Sequence, residues 1–73
     1  MLSTTAAVVT ALRLAARPDG VTCMDMADAS GYSRRGAHAV LRRLEAQGAI
    51  RRDAVRRHLP ARTPPLIVWR LAH

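Results

Sequence analysis

Residues 31–48, GYSRRGAHAVLRRLEAQG, predict a helix with two different faces. At 100° per residue the apolar side chains fall in one sector. The residues of this apolar sector are Ala37, Val40, Leu41 and Leu44. The opposite sector holds Arg35, Ala39, Arg42 and Ala46, with His38 and Arg43 on its two sides. Ser33 is a suitable N-cap and Gly48 a suitable stop, so we expect this helix over residues 33–47.

The residues before this helix predict a second helix and a tight turn. Thr22 and Asp25 have the spacing of a capping box, with Asp in place of Glu, and predict a helix from residue 23 to about 29. Residues 30–32, Ser-Gly-Tyr, then interrupt the pattern. Two helices joined by a short turn that contains glycine are typical of a helix-turn-helix motif, which we place at about residues 23–48.

A further helix is predicted ahead of the motif. Ser3 or Thr4 can cap it, and the Pro-Asp-Gly turn at residues 18–20 ends it. Residues 21 and 22 leave room for one short strand or an extended link. This N-terminal segment has the composition of a short transit peptide, but without it too little chain remains to close a core. We therefore expect it to be structural.

The last third of the chain predicts a β-hairpin, which we place at about residues 49–72. Two stretches rich in β-branched residues, AIRRDAVRRHL and PPLIVWRLA, are separated by a proline-containing loop. In the second stretch Ile67, Trp69 and Leu71 point to one side and Arg70 to the other. We expect Trp69 in the core. The chain is thus predicted as one α+β domain over residues 1–73, with three helices and a two- or three-stranded antiparallel hairpin.

The charge of the chain is large and unevenly distributed. The net charge is +7, and the chain has 12 Arg and no Lys. Residues 1–33 hold two Arg and three Asp, whereas residues 34–73 hold ten Arg against Glu45 and Asp53. A GC-rich genome would explain Arg in place of Lys but not this clustering. The basic half indicates a polyanionic partner, either nucleic acid or an anionic membrane surface.

Other classes of function have little support in the sequence. The three histidines lack partners at metal-ligand spacing and Cys23 is the only cysteine, so we expect no metal, no other cofactor and a reducing, cytoplasmic setting. No catalytic set, phosphate loop or carboxylate pair is present, and we expect no enzyme activity. A membrane span would need about 18 apolar residues. A membrane-surface helix would place Arg beside exposed aromatics, which this sequence does not.

The segment DMADASGYSRRGAHAVLRRLEAQGAIRR resembles the winged helix-turn-helix family of small bacterial or phage transcriptional regulators, and the resemblance extends over residues 4–72. It implies that the third helix enters the major groove of double-stranded DNA and that the wing lies on the backbone or minor groove. The residues implied at base edges are Arg34, Arg35, His38, Ala39 and Arg42, and those on the wing are Arg57, His58 and Arg62. The further candidate contacts are Ser33, whose neighbouring amides can bind a phosphate, Arg43 and Arg56.

The wing segment RTPPLIVW is also similar to the wing of Z-alpha domains, the winged helices that bind left-handed nucleic acid. In that family a Tyr of the recognition helix and a Trp of the wing form the binding platform. Arg42 occupies the position of that Tyr here, and Trp69 lies two residues later than the family pattern. This resemblance implies left-handed nucleic acid as a less favoured alternative target.

Two alternatives concern protein partners. Many winged helices bind proteins instead of DNA, so a protein-interaction module is the alternative function. A homodimer or a larger protein partner is also expected, through the first helix and the last strand. The apolar residues that suggest this surface are Val8, Val9, Leu12, Leu14, Leu66 and Val68.

Overall fold

The computed structural model describes residues 1–55 and 62–72. Within them the chain forms three helices, α1 (Thr4–Ala15), α2 (Cys23–Ser30) and α3 (Arg34–Ala46). Two strands follow, β1 (Ile50–Val55) and β2 (Leu66–Leu71), which pair antiparallel. This is the predicted α+β layout, and it is consistent with a winged helix.

Each helix begins at a hydroxyl side chain that accepts a backbone N–H. Ser3 Oγ accepts from Ala6 N at 3.2 Å, and Ser33 Oγ accepts from Gly36 N at 3.1 Å. Thr22 forms the predicted capping box: its Oγ1 accepts from Asp25 N at 3.0 Å, and Asp25 Oδ2 accepts from Thr22 N at 3.2 Å. These caps satisfy amides that have no partner inside the helix.

Two helix ends differ in detail from their predicted positions. α1 ends at Ala15, ahead of the Pro-Asp-Gly turn, and α2 continues to Ser30. At the end of α3, Gly48 N donates to Glu45 O and Ala49 N donates to Leu44 O. This pair of hydrogen bonds is the Schellman motif, and the φ of +78° at Gly48 supplies the left-handed residue that it requires.

β2 has a backbone partner along both of its edges. β1 pairs with one edge, and Val21 forms an isolated antiparallel bridge with Trp69 on the other, through hydrogen bonds of 2.9 and 2.8 Å. Gly20 makes this approach possible: it has a φ of +71°, and a Cβ there would lie 2.7 Å from Trp69 O. We expected either a short strand or an extended link at residues 21 and 22, and the structure has a single β-bridge there, at Val21.

The core is built from small and aliphatic side chains between the helices and one face of the hairpin. Its members are Ala7, Ala11, Ala15, Val21, Met26, Ala37, Leu41, Leu44, Ile50 and Trp69. Three of the alanines lie on α1, where a short side chain lets neighbouring backbones approach closely. Trp69 is 3% exposed, which confirms its predicted place in the core, and α1 is structural as expected.

The exposure of β2 differs from the prediction at two positions. Val68 was expected on the open face but is 3% exposed. It lines a cavity with Arg17, Asp19 and Gly20, so the loop that leads into the Val21 bridge lies beside Val68, while Leu66 on the same face is 48% exposed. Ile67 was expected to point inward but is 37% exposed, and it lines a groove with Met24 and Leu66.

Candidate nucleic-acid interface

The α3 face opposite the core carries most of the predicted contact residues. All of Ser33, Arg34, Arg35, His38, Ala39, Arg42 and Arg43 are exposed. A concave surface of about 510 Å³ brings five of them together with the first residue of α2. It is lined by Cys23, Arg34, Arg35, His38, Ala39 and Arg42. A helix face of this kind, with arginines separated by a small alanine, can approach a polyanion closely.

Arg43 belongs to a different surface. It lines a groove beside α1 with Val8, Val9 and Gln47. One residue along a helix is a rotation of about 100°, which takes Arg43 off the sector that Arg42 occupies. Of the predicted contact residues within α3, Arg43 therefore lies on a separate surface. The basic surface contains Arg34, Arg35, His38, Ala39 and Arg42.

The acidic side chain of α3 is bound to the hairpin. Glu45 Oε1 accepts from Trp69 Nε1 and its Oε2 accepts from Arg52 Nη2, each at 3.3 Å. In the described residues, by contrast, no ion pair is formed by Arg34, Arg35 or Arg42. Three guanidinium groups thus lie between residues 34 and 42 with no counterion among the described residues, and a bound anion would lower their mutual repulsion.

The start of α3 adds to the positive potential. Ser33 Oγ accepts from Gly36 N, and the amides of the first turn carry the partial positive charge of a helix N-terminus. Arg34 and Arg35 are in the same turn. Charged side chains and helix dipole therefore act in the same direction at this end of the surface.

His38 connects the basic surface to the hairpin. Its ring lies 5.7 Å from the Trp69 ring, centroid to centroid, in an edge-on arrangement of 70°. Trp69 in turn donates to Glu45. These contacts fix the hairpin relative to α3, so that a ligand touching both would meet a preorganised surface.

The wing is described only in part. The predicted contacts Arg56, Arg57 and His58 lie outside the described residues. Arg62 is exposed and is followed by Thr63 and the Pro64–Pro65 pair that leads into β2. On β1, Arg52 contacts Glu45, and on β2, Arg70 pairs with Asp53 at 3.3 Å and also donates to Pro18 O.

Two residues at the start of α2 line the surfaces beside α3 but are not among the contact residues predicted from the sequence. Cys23 joins the basic surface, where its Sγ lies 3.2 Å from Arg34 O, and Met24 is 57% exposed beside it. The Thr22 cap predicts where α2 begins. It gives no information on which face of α3 the first residues of α2 contact. Within residues 1–55 and 62–72, no three His, Cys, Asp or Glu side chains are grouped to hold a metal ion.

No protein-family model matches the sequence, and no curated protein or solved structure matches it. A proposal about function therefore rests on the residues of this chain. Of the helices in the described residues, none has the length and apolar character needed to cross a membrane.

Proposed function

We propose that this chain binds double-stranded DNA in a sequence-directed way, as a small winged helix-turn-helix regulator. The observation that carries the proposal is the cluster of Arg34, Arg35 and Arg42 on the exposed face of α3, which form no ion pair within residues 1–55 and 62–72. The acid of the same helix, Glu45, is bound to Trp69 and Arg52. A basic helix that follows a tight turn is the electrostatic footprint of a DNA-recognition helix.

In this proposal α3 lies in the major groove. Arginine can donate two hydrogen bonds to guanine, so Arg35 and Arg42 are the proposed base contacts. Ser33 and the first-turn amides would bind a phosphate. The wing, including Arg62, would contact the backbone and supply affinity without base discrimination.

The burial of Trp69 favours right-handed DNA over the left-handed alternative. A binding platform of the Z-alpha kind needs an exposed wing Trp, but Trp69 is 3% exposed, with His38 against its ring and Glu45 on its N–H. Arg42 occupies the position of the Tyr in that family, so the second aromatic ring of the platform is missing as well. We therefore propose B-form DNA as the target, and the cytoplasm as the compartment in which the chain meets it.

The protein-interaction alternative has a smaller surface than the sequence suggested. On α1, Val8, Leu12 and Leu14 pack against the core, while Val9 is 43% exposed. On β2, Leu66 is 48% exposed but Val68 is buried. A homodimer or other protein partner through these two elements stays a prediction, with Val9 and Leu66 as its remaining apolar contacts.

Selection of bound sequences from a random pool of duplex DNA tests the proposed function. We expect enrichment of a defined sequence motif and an affinity that falls steeply with salt, as phosphate contacts require. A palindromic motif would also indicate a dimer, because two-fold symmetric proteins bind two related half-sites. Binding that shows neither enrichment nor salt dependence would contradict DNA recognition and favour the protein-interaction module.

A further inference from the structure

An apolar groove lies at the junction of α2, α3 and β2. The large apolar side chains that are exposed in the described residues are Met1, Val9, Met24, Leu66 and Ile67. Three of them, Met24, Leu66 and Ile67, line this one groove of about 320 Å³. Exposed apolar side chains that cluster, instead of being scattered singly, mark a binding surface.

The groove is continuous with the basic surface of α3. Cys23, Arg34 and His38 line both of them, so Arg34 supplies positive charge at the groove, where Arg52 is paired with Glu45. A duplex that contacts α3 would therefore also cover the groove. An occupant of the groove must have apolar surface and negative charge side by side, and the DNA backbone has both.

The chemistry of the walls specifies what part of DNA they would contact. Met24, Leu66 and Ile67 have no hydrogen-bonding groups, so they cannot distinguish base edges by donor and acceptor pattern. They can remove deoxyribose carbons and thymine methyl groups from water. Arg34 would remain available for a flanking phosphate.

We propose that the groove formed by Met24, Leu66 and Ile67 packs against the sugar and methyl surface of the same duplex that α3 binds. This inference rests on the proposed function. It divides the affinity into a part that depends on salt, supplied by arginines, and a part that does not, supplied by the groove.

The test measures binding of the full chain to its selected duplex over a series of salt concentrations. The variants are Ile67→Thr, which keeps a β-branched side chain in the strand, and Met24→Gln, which keeps a good helix former. Ala29→Gln is the matched control, because it places the same side chain as Met24→Gln at another exposed position of α2, away from the groove. Thermal unfolding is measured for all of them.

We expect each groove variant to weaken binding about fivefold at every salt concentration. The plot of log affinity against log salt should shift in parallel, with an unchanged slope, and Ala29→Gln should bind like the wild type. Wild-type affinity in both groove variants would overturn the inference while leaving the proposed function intact. So would a loss explained by altered self-association in sedimentation. If the wild type itself binds no duplex, both proposals are wrong.

Discussion

Glu45 shows how one carboxylate can sit on a basic helix without opposing the charge of its exposed face. Its two oxygens accept from Trp69 Nε1 and Arg52 Nη2, and its side chain is 28% exposed. The carboxylate thereby satisfies a buried N–H and holds β1 and β2 against α3. Its role is structural, and among the described residues it forms no ion pair with Arg34, Arg35 or Arg42.

Substitution of Glu45 separates the hydrogen bond from the charge. Glu45→Ala leaves Trp69 Nε1 without its acceptor, and we expect it to lower the free energy of unfolding by about 1–2 kcal/mol. Glu45→Gln keeps an amide oxygen in reach and loses only a partly exposed ion pair, so we expect a cost under about 1 kcal/mol. Urea unfolding measures both. Equal losses in the two variants would mean that the bond to Trp69 contributes little.

The attachment of the β2 strand along both edges depends on a close backbone approach. Val21 and Trp69 exchange two hydrogen bonds, and Gly20 lies directly against Trp69 O. On the far side of the same loop, Arg70 donates to Pro18 O and pairs with Asp53. The wing is thereby joined to the segment between α1 and α2 as well as to α3.

Gly20→Ala tests this attachment, with Gly48→Ala as its control. Both glycines have positive φ, +71° and +78°, so both substitutions carry the backbone strain of about 1–3 kcal/mol. A Cβ at Gly20 would also lie 2.7 Å from Trp69 O, whereas nothing lies within 4 Å at Gly48. We therefore expect Gly20→Ala to lower the midpoint of thermal unfolding more than Gly48→Ala. An equal drop of the midpoint in both variants would show that the Val21–Trp69 bridge can shift to accept the added Cβ without further loss of stability.

The wing loop supplies the prediction that concerns nonspecific affinity. Arg62 is exposed ahead of the Pro64–Pro65 pair, whose fixed backbone angles reduce the freedom lost on binding. We expect Arg62→Ala to weaken selected and random duplexes alike and to lower the salt slope by about one unit. Equilibrium binding over a salt series measures this. A loss confined to the selected duplex would show that Arg62 contacts a base.

Local patterns were sufficient to predict the elements and the exposed face of α3. The caps at Ser3, Thr22 and Ser33 depend on residues at most three positions apart, and the α3 face depends only on helical periodicity. The same periodicity correctly separated Ala37 and Leu41 from the arginines.

Long-range packing accounts for what could not be predicted. Val68 lies beside a loop about fifty residues earlier in the chain, and Met24 of α2 lines a groove with Leu66 and Ile67 of β2. Neither contact can be predicted from the sequence around Val68 or Met24. The separation of Arg43 from Arg42 follows from the rotation per helical residue, but the α1 residues beside Arg43 depend on how α1 packs against α3.

Charge is distributed over the chain so that one side is suited to a polyanion. The acids in the described residues are largely engaged: Asp25 in the α2 cap, Glu45 with Trp69 and Arg52, and Asp53 with Arg70. The arginines on the basic surface are not. With a net charge of +7, this arrangement would give the fast, salt-dependent association with a polyanion that the proposed function requires.

The central claim is that the α3 surface, and not the net charge alone, recognises DNA. Arg42→Ala and Arg13→Ala remove the same charge from two exposed helix positions, but Arg42 lines the basic surface and Arg13 lies on α1. The measurement is the ratio of affinities for the selected duplex and a scrambled one, at fixed salt. We predict that Arg42→Ala lowers discrimination by about 1–3 kcal/mol and that Arg13→Ala leaves it unchanged. Equal discrimination in both variants and the wild type would contradict recognition by α3.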